Sequence, residues 1–355
     1  MNYRVPLTPD NKALSNIFDW NFMQVFIISL LVSTALIVLL RYMALRLDIL
    51  DHPGGRKHHE HPTPTVGGLA MFIGVISSLS LDGALHGNVA ILMWCAAALV
   101  ALGVLDDKHG LSVSVRMMFQ VFLVSVVIVG AGGSVTHLGS IFGIDIPLGI
   151  FSIPFSVIAF VGGINAINMI DGADGMAGKM ALITVSGVTV ISYFSGANEL
   201  LAMTLSMTGA LIGFLLLNSR IFIKRALVFM GDAGSMWLGL VLGWFMAQLT
   251  SGVVSAEPSL VLWLFGIPLI DTLTVMFRRM KHRQSPFSAD RTHIHHVLER
   301  AGLSIRSTVL ILSLVQLFFV SVGVCFYLVH APAFVVFWSF ILLMAVYYHQ
   351  LRNYQ

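Results

Sequence analysis

Eleven apolar runs of about 16 to 25 residues follow one another almost without pause along this 355-residue chain, and each approaches the length needed to cross a bilayer. Their approximate cores are 23–43, 66–82, 88–105, 117–132, 150–168, 178–194, 199–217, 234–250, 259–277, 307–329 and 333–350. With 57% hydrophobic and 10% charged residues, the chain carries more apolar surface than a soluble domain of this length can bury. Lipid must therefore be much of its solvent. The fold class expected is all-α, a polytopic membrane protein of about eleven transmembrane helices.

The basic residues orient it. Assigning the connecting segments alternately to the two sides places 18 of the 20 Lys and Arg on one side, which the positive-inside bias makes cytoplasmic. Only Arg4 and Lys12 fall on the other, so the N-terminus is expected outside and the C-terminus inside. The first run sits behind a polar tail and lacks a small-residue cleavage pattern, so it is expected to stay as an uncleaved anchor. Residues 1–22 then form an outside tail, 23–350 a single transmembrane catalytic domain, and 351–355 a cytoplasmic tail. The outward loops are short; the longest, about 133–149, suits a small hairpin. A net charge of +3 without a basic domain speaks against nucleic acid. Cys95 and Cys325 lie within apolar runs, which disfavours a disulfide framework or a cysteine metal site.

Carboxylates are costly near lipid and therefore informative. Asp106 and Asp107 close the third run in GVLDDKHGLSVSVR, Asp171 and Asp174 follow the fifth in NAINMIDGADGMAG, and Asp232 precedes the eighth in FMGDAGS. Five carboxylates thus converge on one side at one depth, which suits a divalent cation and a diphosphate. N-capping is the simpler role for Asp232 and for Asp174, whereas a helix end has no need of the adjacent Asp106 and Asp107. The DGADG turn lacks the Lys and Ser/Thr of a phosphate-binding loop and the spacing of an EF-hand, although its glycines allow backbone close to a phosphate. Asn165 and Asn168 face the same end, as further donors or as caps. Asp271 lies inside the ninth run two turns before Arg278 on the same face, which suits either an ion pair or a functional role.

Two loops carry the cationic groups. The first reads DHPGGRKHHEHPTPTVGG, where the positive-inside bias accounts for Arg56 and Lys57 but not for the histidines. The second, Arg278 to Arg306, predicts an amphipathic interfacial helix: Ser288 as N-cap, Ile294, Val297, Leu298 and Ala301 on the apolar face, Gly302 as stop. Steps of 100° bring His293, His296 and Arg300 together on its polar face, with His295 near the boundary. That stripe suits a phosphate or an anionic lipid surface; a zinc site lacks a fourth ligand at usual spacing.

Six stretches in this order, RKHHEHPTPTVGG, LDDKHGLSVSVRMMFQ, NAINMIDGADGMAG, FMGDAGSM, DTLTVMFRR and SADRTHIHHVLERAG, resemble the polyprenyl-phosphate N-acetylhexosamine-1-phosphate transferase superfamily. The likeness is nearest to its bacterial undecaprenyl-phosphate GlcNAc-1-phosphate transferases and spans about residues 51–306. It implies transfer of GlcNAc-1-phosphate from UDP-GlcNAc to undecaprenyl phosphate with release of UMP. It further implies Mg²⁺, with Mn²⁺ as substitute, and a bacterial inner-membrane protein whose site faces the cytoplasm and starts a surface glycan. Carried over residue by residue, it makes Asp106, Asp107, Asp171 and Asp174 catalytic and Asp107 with Asp232 metal ligands. Asn168, Arg291, His293, His295, His296 and Arg300 then contact the nucleotide and its phosphates, and Arg56, Lys57, His59 and Arg116 the lipid phosphate or the donor. His59 is matched by counting back from Pro64 and Gly67. The histidine motif reads HIHH, unlike the unbroken triple histidine of the peptidoglycan-precursor branch, while another UDP-HexNAc donor stays open. A homodimer is compatible with the sequence. A secondary transporter would place its ionisable groups near the midplane on broken helices, and here they lie in loops and helix ends.

Overall fold

In hydrocarbon every backbone N–H and C=O must be satisfied within the chain, so apolar runs of this length become helices. The computed structural model describes residues 20–48, 50–51, 61–221, 223–250, 252–254, 256–285 and 292–352. Arg56, Lys57, His59, Ser288 and Arg291 lie outside these described residues. Among the described residues twelve α-helices follow in order: α1 Trp20–Leu47, α2 Gly67–Asp82, α3 Gly87–His109, α4 Val113–Gly130, α5 Ser152–Ile170, α6 Met176–Ser195, α7 Asn198–Asn218, α8 Gly231–Thr250, α9 Leu260–Lys281, α10 Ile294–Arg300, α11 Ile305–Leu328 and α12 Ala333–Arg352.

Each of the eleven expected runs is a helix, but only ten are long and apolar enough to span by themselves. The exception is α2, whose 16 residues reach about 24 Å at 1.5 Å per residue. It is short because the chain before it is used otherwise. Phe229 donates its N–H to the Pro64 carbonyl at 2.8 Å, and Gly67 and Gly68 donate to Phe229 and Met230 at 3.0 Å each. This extended pairing ties the entry of α2 to the entry of α8. The hairpin expected over about 133–149 is present as a short antiparallel pairing, with Leu138 donating to Ile146 at 2.9 Å and Leu148 to Thr136 at 2.9 Å.

Helix α8 is the axis of the bundle, with almost its entire length buried. Small residues allow this, because helices in lipid associate through close packing rather than a hydrophobic drive. Gly68 of α2 meets Gly234 backbone to backbone, Gly103 of α3 meets Ala233, and Gly239 lies against Ile164 of α5. Large side chains then lock its C-terminal half: Trp244 Nε1 donates to the Ala131 carbonyl at 2.8 Å, and Gln248 to that of Gly132 at 2.9 Å.

Helix α9 is broken at Gly266 (φ 12°, ψ −103°), two residues before Pro268. Proline lacks the N–H that would bond the Leu264 carbonyl four residues back. Two buried side chains repair the loss. Thr184 Oγ1 and Gln316 Nε2 both donate to that carbonyl at 3.0 Å, and Gln316 Oε1 accepts from the Ile267 N–H at 2.8 Å. Gln316→Leu would strand the Ile267 donor in an apolar interior. A loss of about 1–3 kcal/mol is expected, read as an earlier unfolding midpoint in detergent.

Candidate active site

The ends of α3, α5 and α8 meet at one pole of the bundle and bring the aspartates together. Asp107, in the last turn of α3, accepts the backbone N–H of Asp232 at 3.0 Å through Oδ1. Capping therefore runs opposite to the sequence expectation. Asp107 caps α8 from another helix, and the side chain of Asp232, inside the first turn, is left for other partners. Gly231 takes a left-handed φ of 71°, and a Cβ there would stand 2.5 Å from Asp107 Oδ2, so no side chain fits between the two segments.

Asp232 Oδ1 accepts from Asn168 Nδ2 at 2.5 Å, and the same amide nitrogen lies 2.9 Å from Ser235 Oγ. Asn168 thus fastens α5 to α8 and is not a cap. Asn165, one turn earlier, reaches Gln120 of α4 at 2.9 Å instead. Asp106 is buried with both oxygens engaged, Oδ1 by the Leu111 N–H and Oδ2 by Arg116, at 2.7 Å each. Arg116 also stands 3.7 Å from Asp232 Oδ2 and so bridges two carboxylates. Asp174 is not a cap either. It accepts from Arg220 Nε at 2.6 Å and from the Ala226 N–H at 3.1 Å, anchoring the DGADG turn to the segment between α7 and α8.

Two of the five carboxylates thus have a close guanidinium of their own, and Asp107, Asp171 and Asp232 share what positive field is left. Asp171, in the turn between α5 and α6, keeps some exposed surface, yet its pKa is pushed up from 3.8 to about 7. Burial is the main cause, followed by the charges of Asp232, Asp107 and Asp174.

The histidine segment closes the site from α10. The helix begins at Ile294, later than expected, and the stripe of His293, His296 and Arg300 does not form. His293 precedes the helix and is buried, its Nδ1 2.8 Å from Asp271 Oδ2 on α9. His296 Nδ1 lies 3.8 Å from Glu299, and Arg300 is exposed. His295, expected at the boundary, is 1% exposed, and both ring nitrogens lack a hydrogen-bond partner among the described residues. It packs on the DGADG turn, where a Cβ on Gly172 would lie 2.5 Å from its Nε2. Burial, then neighbouring His296, lowers its pKa to about 3, so the ring is neutral at physiological pH.

Sequence reasoning missed two contributors and the partners of a third. Asp271, singled out for either an ion pair with Arg278 or a functional role, has as partners His293, the Ile294 N–H and Tyr347. Asn218 accepts from the Gly175 N–H and donates to the Val228 carbonyl, both at 2.8 Å, clamping the turn to the entry of α8. Ser235 completes the Asn168 contact. An amide ending the apolar run of α7 was the one available signal for Asn218.

A helical bundle with five carboxylates gathered at one end of its membrane-spanning helices is a polytopic membrane protein with an acidic site. Residues 89–250 match the profile of glycosyl transferase family 4. The chain is 34% identical over 296 residues, 83% of its length and 81% of the relative's, to the Salmonella typhi undecaprenyl-phosphate alpha-N-acetylglucosaminyl 1-phosphate transferase. Proteins of the same name from Escherichia coli K12 and Yersinia pestis are each 33% identical over 296 residues, with the same coverage of both chains. The chain belongs to glycosyl transferase family 4.

The raised Asp171 carboxyl sets a pH signature. Between about pH 4 and 7 the native state holds this proton and the unfolded chain has lost it, so the contribution of Asp171 to stability falls as pH rises through that window and is constant above it. Asp171→Asn removes the titration. In metal-free buffer, its stability relative to the parent is expected to improve from pH 4.5 to 7 and then level off, checked by thermal unfolding at a series of pH values.

Proposed function

We propose that the chain transfers GlcNAc-1-phosphate from UDP-GlcNAc to undecaprenyl phosphate, releasing UMP, at the cytoplasmic face of the bacterial inner membrane. Family membership and the names of the relatives support the reaction class, and the 18 basic residues on one side support the orientation. The observation that carries the reading is the crowding of Asp107, Asp171 and Asp232, three carboxyl groups with no close guanidinium of their own, beside an arginine and a histidine segment. Such a site suits a cation together with a phosphorylated ligand.

Among the described residues no three His, Cys, Asp or Glu groups make a ready metal cage. That fits Mg²⁺, which is commonly held by one or two carboxylates and completes its shell with water and substrate phosphates. Asp107 and Asp232 would hold it, Mn²⁺ substituting, and when bound it neutralises charge on the donor diphosphate. An oxygen of the lipid phosphate bonds to the β-phosphorus, and the bond from that phosphorus to the bridging oxygen breaks, leaving the oxygen on UMP. A phosphate monoester is mostly dianionic at neutral pH, its second pKa being about 6, so no strong base is required. Asp106 has both oxygens committed, and its work is to hold Arg116 where a phosphate is met. Asn168 fixes the rotamer of Asp232, and neutral His295 offers a hydrogen bond to the donor without adding charge. Asp174 keeps the turn in place.

Incubation with UDP-GlcNAc, undecaprenyl phosphate and Mg²⁺, followed by nucleotide separation, is expected to yield UMP stoichiometric with lipid product. UDP in its place would mean attack at the anomeric carbon and a different enzyme. Asp107→Asn and Asp232→Asn should each lower kcat by roughly 10²-fold or more, because charge on the diphosphate is then poorly neutralised. His295→Leu removes a buried, unpartnered polar ring, so it should leave stability equal or better while raising the donor KM.

A further inference from the structure

Asp271 lies in the lower half of α9, 2% exposed in side-chain area, and three groups from two segments donate to it. His293 Nδ1 stands 2.8 Å from Oδ2, the Ile294 N–H 2.9 Å from Oδ1, and the Tyr347 hydroxyl of α12 3.2 Å from Oδ1. A buried carboxylate costs several kcal/mol in desolvation unless its partners are well placed. Capping α10 alone would not require it, since Asn caps a helix as well as Asp does. What a carboxylate does and an amide oxygen shared with an NH₂ group does not is accept on both oxygens at once. Here the second oxygen is on a histidine ring.

A carboxylate on one imidazole nitrogen fixes the ring orientation and the tautomer, leaving the opposite nitrogen for the ligand. With Nδ1 committed to Asp271, Nε2 is the nitrogen His293 can present. The ring stacks on His295, centroids 6.1 Å apart and planes 13° apart, and His295 in turn packs on Gly172, next to Asp171. His293 is therefore one ring away from the acidic turn. The support behind it is rigid. Asp271 follows Pro268 by three residues, just past the break whose carbonyl and N–H are held by Thr184 and Gln316.

We propose that Asp271 is a positioning residue of the donor site, holding His293 with Nδ1–H turned to its carboxylate and Nε2 turned to the nucleotide sugar, with Tyr347 of the last helix bracing the pair. The inference rests on the donor reading above and adds to it the residue that aims the histidine.

The test is a double-mutant cycle on the full chain in nanodiscs, with donor and acceptor KM from steady-state transfer and UMP affinity from calorimetry. Asp271→Asn keeps the volume and a cap for Ile294 but puts an NH₂ group against Nδ1, forcing the other tautomer. It should raise the donor KM and weaken UMP binding by about 10-fold or more, the cost usual for the residue that orients a ligating histidine. The acceptor KM should be unchanged. In a His293→Ala background the same substitution should add less than about 2-fold, because its route is already gone. Tyr347→Phe removes one hydroxyl and should show a smaller effect of the same kind, which keeps the test decisive if Asp271→Asn does not fold. A donor KM and UMP affinity unchanged in Asp271→Asn, or in Tyr347→Phe where that variant carries the test, overturn the proposal, as do losses that multiply with His293→Ala. The proposed reaction fails separately: a parent chain that binds UMP with this coupling yet makes no lipid product leaves the positioning role standing. A parent chain that does not bind UMP overturns both.

Discussion

Three carboxylates without a full complement of positive charge, at the end of helices that stand in lipid, are the constraint around which this molecule is organised. Asp106 and Asp174 each have a guanidinium at hydrogen-bond distance, so their desolvation is largely offset. Asp107, Asp171 and Asp232 do not, and the strain is visible in Asp171, which holds its proton up to about pH 7. Bringing like charges together in a poorly solvated place opposes folding. Binding a cation or a phosphate-bearing complex of one relieves that cost, which couples ligand affinity to the electrostatics of the fold.

The rest of the bundle holds that arrangement still. Asp232 can sit beside Asp107 because α8 comes to backbone contact with α2 and α3, and Gly68, Gly103 and Gly234 permit that approach. Any side chain at these positions would have to displace main chain. The positive end of α8 points at the carboxylates, and Asp107 answers it by accepting the Asp232 N–H, so one contact both caps the helix and sets the spacing of the acidic pair.

Much of this was legible beforehand, for identifiable reasons. Helix class and number followed from run length, since lipid leaves the backbone few alternatives. The acidic motifs stood out because carboxylates are rare in such a chain. Partners were harder to read. Helical periodicity joined Asp271 to Arg278 along one helix, whereas the bond that forms runs to His293 across 22 residues of chain. Periodicity also set His293, His296 and Arg300 in one stripe, on the premise that the helix began before His293. The Asp271 contacts start it at Ile294 and turn His293 inward. Capping statistics assigned Asp232 to its own helix, although a neighbouring helix supplies the cap. Each miss concerns a contact between elements, to which one-dimensional spacing is blind. The run of α2 was read at nearly its observed length, but not the pairing of its first residues with the entry to α8.

The break in α9 shows how a local defect serves a distant group. Pro268 leaves the Leu264 carbonyl without its helical donor, a deficit worth a few kcal/mol in an apolar interior. Thr184 and Gln316 correct it from α6 and α11, so the helix is bent but not loose. A straight α9 would need neither polar side chain. Because the Leu264 carbonyl and the Ile267 N–H are both held by side chains, the bend is fixed, and the half-helix beyond it carries Asp271 to a definite place beneath the histidine segment. Polar groups deep in the membrane region and the acidic pole of the bundle thus belong to one mechanical path: Gln316 and Thr184 set α9, α9 sets Asp271, and Asp271 sets the start of α10.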